Sequence, residues 1–313
     1  MSSVERRSAQ APGAVIMIRP HHFSPNKETA KDNAFQKTGE EFSQYDITQS
    51  AYQEASAAAK KLESVGVKVH IFEDEGTETP DSVFPNNWFS THPGGHVAVY
   101  PMFAENRRLE RRYDVIEMLK QEYRVQDIID YSGLEPDGLF LEGTGAMVLD
   151  HIERVAYAIK SNRTDPVALE RFCTHFNYEP MVFDALDEGG TPIYHTNVMM
   201  CLGDTFAVIC LSSIDDKKER KQVVKHLKED GKAIIDITEE QVNNFAGNML
   251  QVKGVNDERY LIMSQSAYDC LTESQINVLE KHTNILSSSL ETIETCGGGS
   301  ARCMMAEVFL PKQ

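Results

Sequence analysis

The sequence predicts an α/β fold in which five repeated units form a closed propeller, and three observations favour this class. Pairs of short strands joined by tight turns recur along the chain, and helical stretches fill the gaps between them. Equivalent polar or glycine residues stand at intervals of 58, 52, 51 and 54 residues, namely Asn87, Gly145, Asn197, Asn248 and Arg302. Because a strand pair with one helix cannot bury its own apolar face, several units must share one core.

The first unit is predicted from the N-terminal quarter of the chain. The run AVIMI at residues 14–18 is typical of a buried strand, and a loop over residues 19–36 follows it. An alanine-rich helix is predicted over residues 46–65, and the alternating VKVHIF at residues 67–72 predicts a second strand. These elements give the order β-loop-α-β.

The later units repeat a strand pair and a helix. The strand pairs are predicted at residues 86–100, 143–160, 196–211 and 247–264. The helices are predicted at residues 107–123, 166–175, 216–230 and 274–282. A last strand over residues 302–310 would pair with the N-terminal strand and close the ring, which brings the strand starts around one central channel. The alternative is a two-domain α/β protein in which the spacing is coincidental.

Composition and charge restrict the partners. We expect residues 1–13 to be a disordered tail and residues 14–313 to be a single α/β domain. The formal net charge of −17 opposes binding to nucleic acid or to an anionic membrane surface, because both require a basic footprint. No apolar run reaches about 18 residues, so we predict a cytoplasmic protein with a small-molecule partner. No pattern decides between a monomer and a homo-oligomer, and the six cysteines show no metal-type spacing.

Cys303 is the candidate nucleophile. It follows three consecutive glycines at residues 297–299, which allow a tight turn or a close backbone approach, and we expect it to open a short apolar strand. A thiol beside free backbone N–H groups and an arginine is placed to react as a thiolate. The alternative for an isolated cysteine is a small buried apolar residue at a strand start.

Two further residues complete a nucleophilic set at equivalent positions of the repeat. Glu142 stands in LEGTG and His195 in YHTN. A cysteine, a histidine and a carboxylate are the parts of a nucleophile with an acid/base partner and an orienting group. The first unit adds Asp81, Asn86 and Asn87 in PDSVFPNNW, for which an Asx-rich turn before a strand is the alternative.

The order of these motifs resembles the guanidino-group-modifying superfamily, which includes arginine deiminases, dimethylarginine hydrolases and amidinotransferases. Within it, FPNNWF, LEGTG, YHTNVMM, FAGNML and GGGSARCM look most like the citrulline-utilisation hydrolases, or citrulline ureidases. The resemblance runs from Arg19 to Phe309. It implies the five-bladed ββαβ propeller known as the pentein fold, without a metal and without an organic cofactor.

The resemblance also implies roles for individual residues. Cys303 would be the nucleophile, His195 the general acid/base, and Glu142 the carboxylate that holds the imidazole or a substrate nitrogen. Arg163 matches an arginine that binds the substrate α-carboxylate, and Arg107 or its neighbour matches a second one. A guanidinium suits this purpose because it donates two parallel hydrogen bonds to a carboxylate.

The chain departs from deiminases and dimethylarginine hydrolases at its asparagines. Those enzymes carry carboxylates where this chain has Asn86 and Asn87, and deiminases often carry an aspartate in place of Asn197. An amide offers both a carbonyl acceptor and an NH2 donor, so it satisfies a neutral ureido group without leaving a charge unpaired. The substitution therefore predicts L-citrulline as substrate, with ornithine, CO2 and ammonia as products.

Two other functions stay open at this point. Asp81 and Glu142 could still hold a cation, which leaves an arginine or substituted-arginine deiminase or dihydrolase as an alternative. A catalytically silent binding propeller is an alternative of a different class, and the joint presence of Cys303, His195 and Glu142 opposes it. The loop over residues 19–36 is an expected cover for the site, since its prolines and asparagines set turns and Phe23 and Phe35 could pack inward.

Overall fold

The computed structural model describes residues 9–37 and 43–313. Its strands, in chain order, are β1 (Ala14–Pro20), β2 (Lys68–Asp74), β3 (Phe89–His92), β4 (His96–Val99), β5 (Asp127–Asp130), β6 (Met147–Asp150), β7 (Val155–Ile159), β8 (Glu179–Phe183), β9 (Met200–Leu202), β10 (Phe206–Ile209), β11 (Ala233–Asp236), β12 (Leu250–Lys253), β13 (Arg259–Ser264), β14 (Asn284–Ser288) and β15 (Ala306–Glu307).

The helices lie between these strands. They are α1 (Gln44–Ser64), α2 (Tyr113–Glu122), α3 (Gly143–Ala146), α4 (Pro166–Phe176), α5 (Lys217–Glu229), α6 (Glu239–Asn243), α7 (Gln265–Cys270), α8 (Glu273–Leu279) and α9 (Glu291–Gly297). Short 3₁₀ helices cover Thr29–Lys31, Pro85–Asn87, Asn106–Glu110, Ser132–Asp137, Thr196–Val198 and Val255–Asp257.

Five three-stranded sheets repeat one arrangement in the described residues. Their strand orders are β15-β1-β2, β3-β4-β5, β6-β7-β8, β9-β10-β11 and β12-β13-β14. In every sheet the middle strand runs antiparallel to the first-named strand and parallel to the last. The predicted α/β fold with five strand-pair modules is therefore confirmed.

In the part of the chain that the structure describes, four apolar clusters lie between neighbouring sheets. The first contains residues of β1, β3 and β4, and the second contains residues of β4, β6 and β7. The third joins β7, β10 and β13, and the fourth joins β12 and β13 to β1. The predicted partnership of the two chain ends is present as the β1–β15 pair, with Val15 opposite Glu307.

Local sequence accounts for the helix boundaries. Ser43 accepts a hydrogen bond from the backbone of Asp46 and begins α1. Asp165 caps α4 in the same way with Pro166 in the first turn, and Asn177, whose φ of 55° is left-handed, follows the last helical residue and terminates α4. α6 and α8 each begin with a capping box, in which a threonine and a glutamine three residues on bond each other's backbone N–H groups.

The predicted helix over residues 107–123 is interrupted. A 3₁₀ helix ends at Glu110, Arg111 is extended with ψ at 110°, and α2 begins only at Tyr113. The Arg111 guanidinium lies 2.6 Å from Glu135, an ion pair between separate segments that favours the break. Because of the break, Arg107 belongs to a short 3₁₀ turn and its side chain is buried.

Two other expectations at the chain ends need correction. Residues 1–8 lie outside the described residues, but residues 10–12 are buried. The Gln10 amide donates to the Leu149 carbonyl at 2.9 Å and accepts from the His151 N–H at 2.9 Å, so this part of the predicted tail is packed on the sheets. At the other end, the predicted strand over residues 302–310 is reduced to β15, because the preceding residues form a turn. Within the described residues, no helix has the length and apolar character needed to cross a membrane.

Candidate active site

The site is assembled from residues that precede the first strand of each sheet. Asn87 lies just before β3, Glu142 just before α3 and β6, and His195 just before the 3₁₀ turn that leads into β9. Asn248 precedes β12, and Cys303 precedes β15. Side chains far apart in the sequence therefore meet, as the repeat spacing predicted.

Cys303 lies in a turn after α9 rather than at a strand start. Its backbone N–H donates to the Ser300 carbonyl at 3.0 Å, and its side chain is buried. The sulfur accepts hydrogen bonds from the side-chain Nδ2 atoms of Asn248 at 3.2 Å and Asn197 at 3.5 Å. Gly298 ends α9 with a φ of 65°, and a side chain there would collide with Asn33, which explains one of the three glycines.

His195 and Glu142 form a buried pair. The Nε2 atom of His195 lies 2.8 Å from a carboxylate oxygen of Glu142, whose other oxygen accepts the backbone N–H of Phe103 at 3.0 Å. Gly145 permits this meeting, since a Cβ atom there would overlap the His195 ring and the Asn87 amide. A residue without a Cβ is therefore required where the LEGTG segment passes these side chains.

The electrostatics of the pair favour a charged Glu142. Burial raises the pKa of Glu142, but the Arg163 charge, the His195 hydrogen bond and the Arg107 charge outweigh burial and hold this pKa well below its usual range. Burial lowers the pKa of His195, and its hydrogen bond to Glu142 opposes part of that effect. The His195 imidazole is therefore neutral near pH 7 and able to accept a proton.

Both predicted substrate arginines are held by carboxylates. The Nε and Nη2 atoms of Arg107 each lie 2.9 Å from Glu110, and its Nη1 donates to the Asn87 side-chain oxygen at 2.9 Å. Arg163 donates to Asp32 through Nε at 3.0 Å and Nη2 at 2.5 Å. Asp32 belongs to the loop over residues 19–36, so this loop contacts the site directly.

The loop makes further contacts with Asp81. Asn26 and Thr29 donate to one carboxylate oxygen of Asp81 at 2.8 and 3.2 Å. The other oxygen is buried without a hydrogen-bond partner. Burial raises the pKa of Asp81, and the Arg107 charge opposes part of that rise. Asn33 adds a hydrogen bond to the Gly297 carbonyl at 3.2 Å.

These side chains enclose a cavity of about 20 Å³. Cys303 and His195 line it together with residues of the loop, of the first unit and of the glycine turn, namely Thr29, Asn33, Asp81, Phe84, Asn87, Arg107, Arg163, Tyr194 and residues 297–299. A cavity of this size holds about one water molecule. A molecule of the size of an amino acid is therefore larger than this space.

Asn86 is a predicted site residue that does not line the cavity. Its side chain is fully buried with both amide atoms unpartnered, and its carbonyl accepts the Thr144 hydroxyl. Asn87 has one orientation, because its oxygen accepts from Arg107, which leaves its Nδ2 atom buried without an acceptor. Asn197 contacts the sulfur of Cys303. Among residues 9–37 and 43–313, no group of three or more His, Cys, Asp or Glu side chains is arranged to hold a metal ion.

A family model matches residues 19–310, nearly the whole chain, and its description is N,N dimethylarginine dimethylhydrolase, eukaryotic. The chain belongs to this family. The predicted resemblance to the guanidino-group-modifying superfamily is thereby confirmed, and the closer resemblance to citrulline ureidases stays a prediction. Among curated protein sequences, none matches this dimethylhydrolase-family chain.

Solved structures share the fold of this dimethylhydrolase-family chain. Apo ArgZ, an arginine dihydrolase from the ornithine-ammonia cycle in cyanobacteria, is 17% identical with a TM-score of 0.74; the match covers 95% of this chain and 41% of ArgZ. The N-terminal domain of ArgZ with product is 18% identical at the same TM-score, covering 95% and 98%. A dimethylarginine dimethylaminohydrolase adduct with 4-chloro-2-hydroxymethylpyridine is 14% identical with a TM-score of 0.63, covering 94% and 99%. The chain thus spans about two-fifths of full-length ArgZ.

Several site residues were not identified from the sequence. Asn248 appeared as a repeat landmark and within the FAGNML motif but was given no role, and its position before β12, equivalent to that of Asn197 before β9, was the available signal. Glu110 stands three residues after Arg107 in RRLE, where no pattern assigned it a role of its own, and Asp32 gave no signal, because its partner Arg163 lies 131 positions away.

Proposed function

We propose that the chain is a cysteine-dependent hydrolase that cleaves the ureido group of L-citrulline. The observation that carries this proposal is the cavity, where the Cys303 thiol and the His195 imidazole face the same space and Glu142 supports the imidazole. Membership in a family of hydrolases named for a guanidino substrate supports cleavage of a C–N bond of this type. The proposal includes closure of the five sheets into a ring around the site, supported by apolar contact between the fifth sheet and the first.

The first half of the reaction forms a bond from sulfur to the ureido carbon. Neutral His195 takes the Cys303 proton, and the thiolate attacks the carbon, placing negative charge on the ureido oxygen. When the tetrahedral adduct collapses, a C–N bond breaks and its electron pair stays on the departing nitrogen. His195 donates its proton to that nitrogen, which leaves a thiocarbamate on Cys303.

The second half consumes water. Neutral His195 takes a proton from water, and the hydroxide adds to the thiocarbamate carbon. The C–S bond breaks, its electron pair returns to the sulfur, and the carbamate product decomposes to CO2 and an amine. One citrulline and one water thus give ornithine, CO2 and ammonia, and the enzyme regains its starting protons.

Asn87 supports a neutral substrate. Because Arg107 occupies its oxygen, the amide has only N–H donors left for a ligand in the cavity. A ureido oxygen accepts such a hydrogen bond, whereas a guanidinium has N–H groups at every position around its carbon and would leave the donor unpaired. An unpaired buried donor costs about 1–3 kcal/mol, enough to decide between two substrates of similar shape.

A second candidate, an arginine dihydrolase, is favoured by one observation at the opposite wall. The unpartnered oxygen of Asp81 accepts N–H groups from either a ureido NH2 or a guanidinium. The fold shared with ArgZ, itself an arginine dihydrolase, agrees with this alternative. Both candidates use the same cysteine chemistry. Their substrates differ in one group on the central carbon, which is an oxygen in the ureido group and a nitrogen in the guanidinium.

A product assay separates the candidates. Purified protein is offered L-citrulline or L-arginine, and the amino acid formed is identified, with Cys303→Ser as the inactive variant. We expect ornithine from citrulline and no product from arginine. Citrulline or ornithine formed from arginine would favour the deiminase or dihydrolase, and activity unchanged in Cys303→Ser would reject the thiol mechanism.

Asn87→Asp tests the basis of substrate choice. The carboxylate keeps the acceptor for Arg107 but replaces the free donor with an acceptor, so we expect kcat/KM for citrulline to fall about tenfold or more. The ratio of arginine to citrulline turnover should rise in the same variant. Asn243→Asp, at an exposed position at the end of α6, is the matched control. Loss of citrulline turnover without any gain in arginine turnover would show that Asn87 has no part in the choice.

The loop over residues 19–36 is proposed as a cover that opens to admit substrate. Asp32 occupies the Arg163 fork that an α-carboxylate would use, so the two carboxylates compete. Since a partly exposed ion pair contributes about 1 kcal/mol, we expect Asp32→Asn to lower KM about fivefold. Asp215→Asn, exposed before α5, is the control. A KM for Asp32→Asn that is unchanged or higher would mean that Asp32 does not compete.

A further inference from the structure

Asn248 lies against the sulfur of the candidate nucleophile. Its Nδ2 atom donates to the Cys303 sulfur at 3.2 Å, and Asn197 donates to the same sulfur at 3.5 Å. Both asparagines are buried and hold equivalent places in two neighbouring units. We propose that Asn248, assisted by Asn197, is a catalytic residue that stabilises the Cys303 thiolate through side-chain N–H groups.

The orientation of the Asn248 amide follows from its other partners. Its Oδ1 atom accepts the backbone N–H groups of Arg302 at 3.0 Å and Cys303 at 3.4 Å, which only an oxygen can do. Its Nδ2 atom also donates to the Asn197 carbonyl at 3.0 Å. The NH2 group is therefore the part that faces the sulfur, and it is held there by backbone on both sides.

A buried thiolate needs such donors because the nearby cations are already paired. Arg107 is bound by Glu110, and Arg163 by Asp32 and Glu142. A neutral ureido substrate adds no positive charge, a point that rests on the proposed function. When the Cys303 proton moves to His195, one negative charge appears on sulfur and one positive charge on imidazole, and the two amides donate to that sulfur.

The neighbouring backbone gives Asn248 little freedom. Phe245, three residues earlier, has a φ of 62°, a left-handed conformation that bulky residues rarely adopt. A Cβ atom on Gly247 would overlap the backbone of Val198 and Met199 in the adjacent unit. The FAGN segment therefore packs directly against the neighbouring turn. This packing holds the Asn248 amide in position in the absence of substrate.

The decisive variant is Asn248→Asp. The carboxylate retains an oxygen for the Arg302 and Cys303 N–H groups, so the turn stays in place, but it presents an acceptor and a negative charge to the sulfur. We expect the rate of Cys303 alkylation by iodoacetamide at pH 7 to fall about tenfold or more, as for loss of a hydrogen bond to a charged group. The pH at which the thiolate ultraviolet absorbance appears, taken as the difference from Cys303→Ser, should rise in the same variant.

Companion variants keep the result interpretable. Asn197→Asp removes the longer hydrogen bond and should give a smaller decrease in the same direction, which tests the proposal even where Asn248→Asp fails to fold. Asn243→Asp adds the same charge at an exposed position in the preceding helix and should leave alkylation unchanged. If either folded variant, Asn248→Asp or Asn197→Asp, has the same alkylation rate and the same thiolate absorbance as the wild type, the thiolate role is overturned. An asparagine with a purely structural role would give that result.

Neither readout requires a substrate. Loss of thiolate in Asn248→Asp alongside no turnover of citrulline by the wild type would uphold the thiolate role and reject the proposed substrate. An unchanged thiolate in Asn248→Asp, alongside citrulline turnover by the wild type, would reject the thiolate role and uphold the proposed substrate.

Discussion

Replacement of His195 by glutamine is expected to lower kcat for citrulline by about 10²–10⁴, with a smaller change in KM. Glutamine keeps an N–H group within reach of Glu142 but cannot exchange a proton near neutral pH, so both the departing amine and the attacking water lose their proton partner. Steady-state kinetics with amino-acid product detection measure the effect. His175→Gln changes an exposed histidine of α4 that bonds the Tyr131 hydroxyl, and it should retain wild-type kcat.

The pH profile tests the same residue separately. Burial lowers the pKa of His195 from its ordinary value of 6.5, and the Glu142 hydrogen bond opposes only part of that shift. The imidazole therefore stays neutral, and able to take the thiol proton, to a pH below 6.5. We expect the acid limb of kcat/KM to lie below pH 6.5 and to be absent from the residual activity of His195→Gln. An identical acid limb in both proteins would assign it to another group.

The repeat explains which parts of the site could be predicted from the sequence. The spacing marks Asn87, Gly145, Asn197 and Asn248 as equivalent positions, and each precedes the first strand of a sheet, but spacing alone gives Asn248 no chemical role. Periodicity carries this information because the five sheets share one arrangement and the equivalent residues lie just before the same strand of each. The chemistry at these points is not repeated: one unit supplies a histidine, another a cysteine, and others amides.

Contacts between non-equivalent segments could not be predicted in this way. The Asp32–Arg163 pair joins residues 131 positions apart, one of them in a loop outside the repeat. The segment MMAEVFL after Cys303, apolar except for Glu307, favours a strand, but the structure has a turn at Cys303. The Asn248 oxygen accepts the two consecutive N–H groups of Arg302 and Cys303, and the Ser300 carbonyl also accepts the Cys303 N–H, so neither N–H pairs with a strand. Side-chain bonds to backbone of this kind leave no trace in local hydrophobicity.

Buried ions around the cavity raise the question of how the fold tolerates them. Arg107 and Arg163 carry positive charge in the interior, and Glu110, Glu142 and Asp81 lie around them. Burial raises the pKa of Glu110 to about 7, against the opposing effect of Arg107, whereas the pKa of Glu142 is lowered despite equal burial. The difference follows from the partners, because Glu142 has two arginines and a histidine around it.

Glu142→Gln should therefore be the most destabilising single replacement at the site. It removes the charge that offsets Arg163, Arg107 and His195 while leaving those groups buried. Breaking a buried ion pair from one side costs about 3–5 kcal/mol, and we expect a loss of this size in the free energy of unfolding at pH 7, measured by denaturant titration. Glu117→Gln, which breaks a surface pair with Lys120, should leave the free energy of unfolding nearly unchanged, because solvent screens exposed charges.

The pH dependence of this loss distinguishes charge from packing. The folded pKa of Glu142 lies well below its ordinary value of 4.5, so the carboxylate stabilises the fold fully above pH 4.5 and progressively less as the pH falls toward the folded pKa. The gap in unfolding free energy between wild type and Glu142→Gln should consequently be widest at neutral pH and narrow below 4.5. A gap of constant size down to pH 3 would mean that the replacement disturbs packing alone, and that the two arginines do not depend on this carboxylate for their burial.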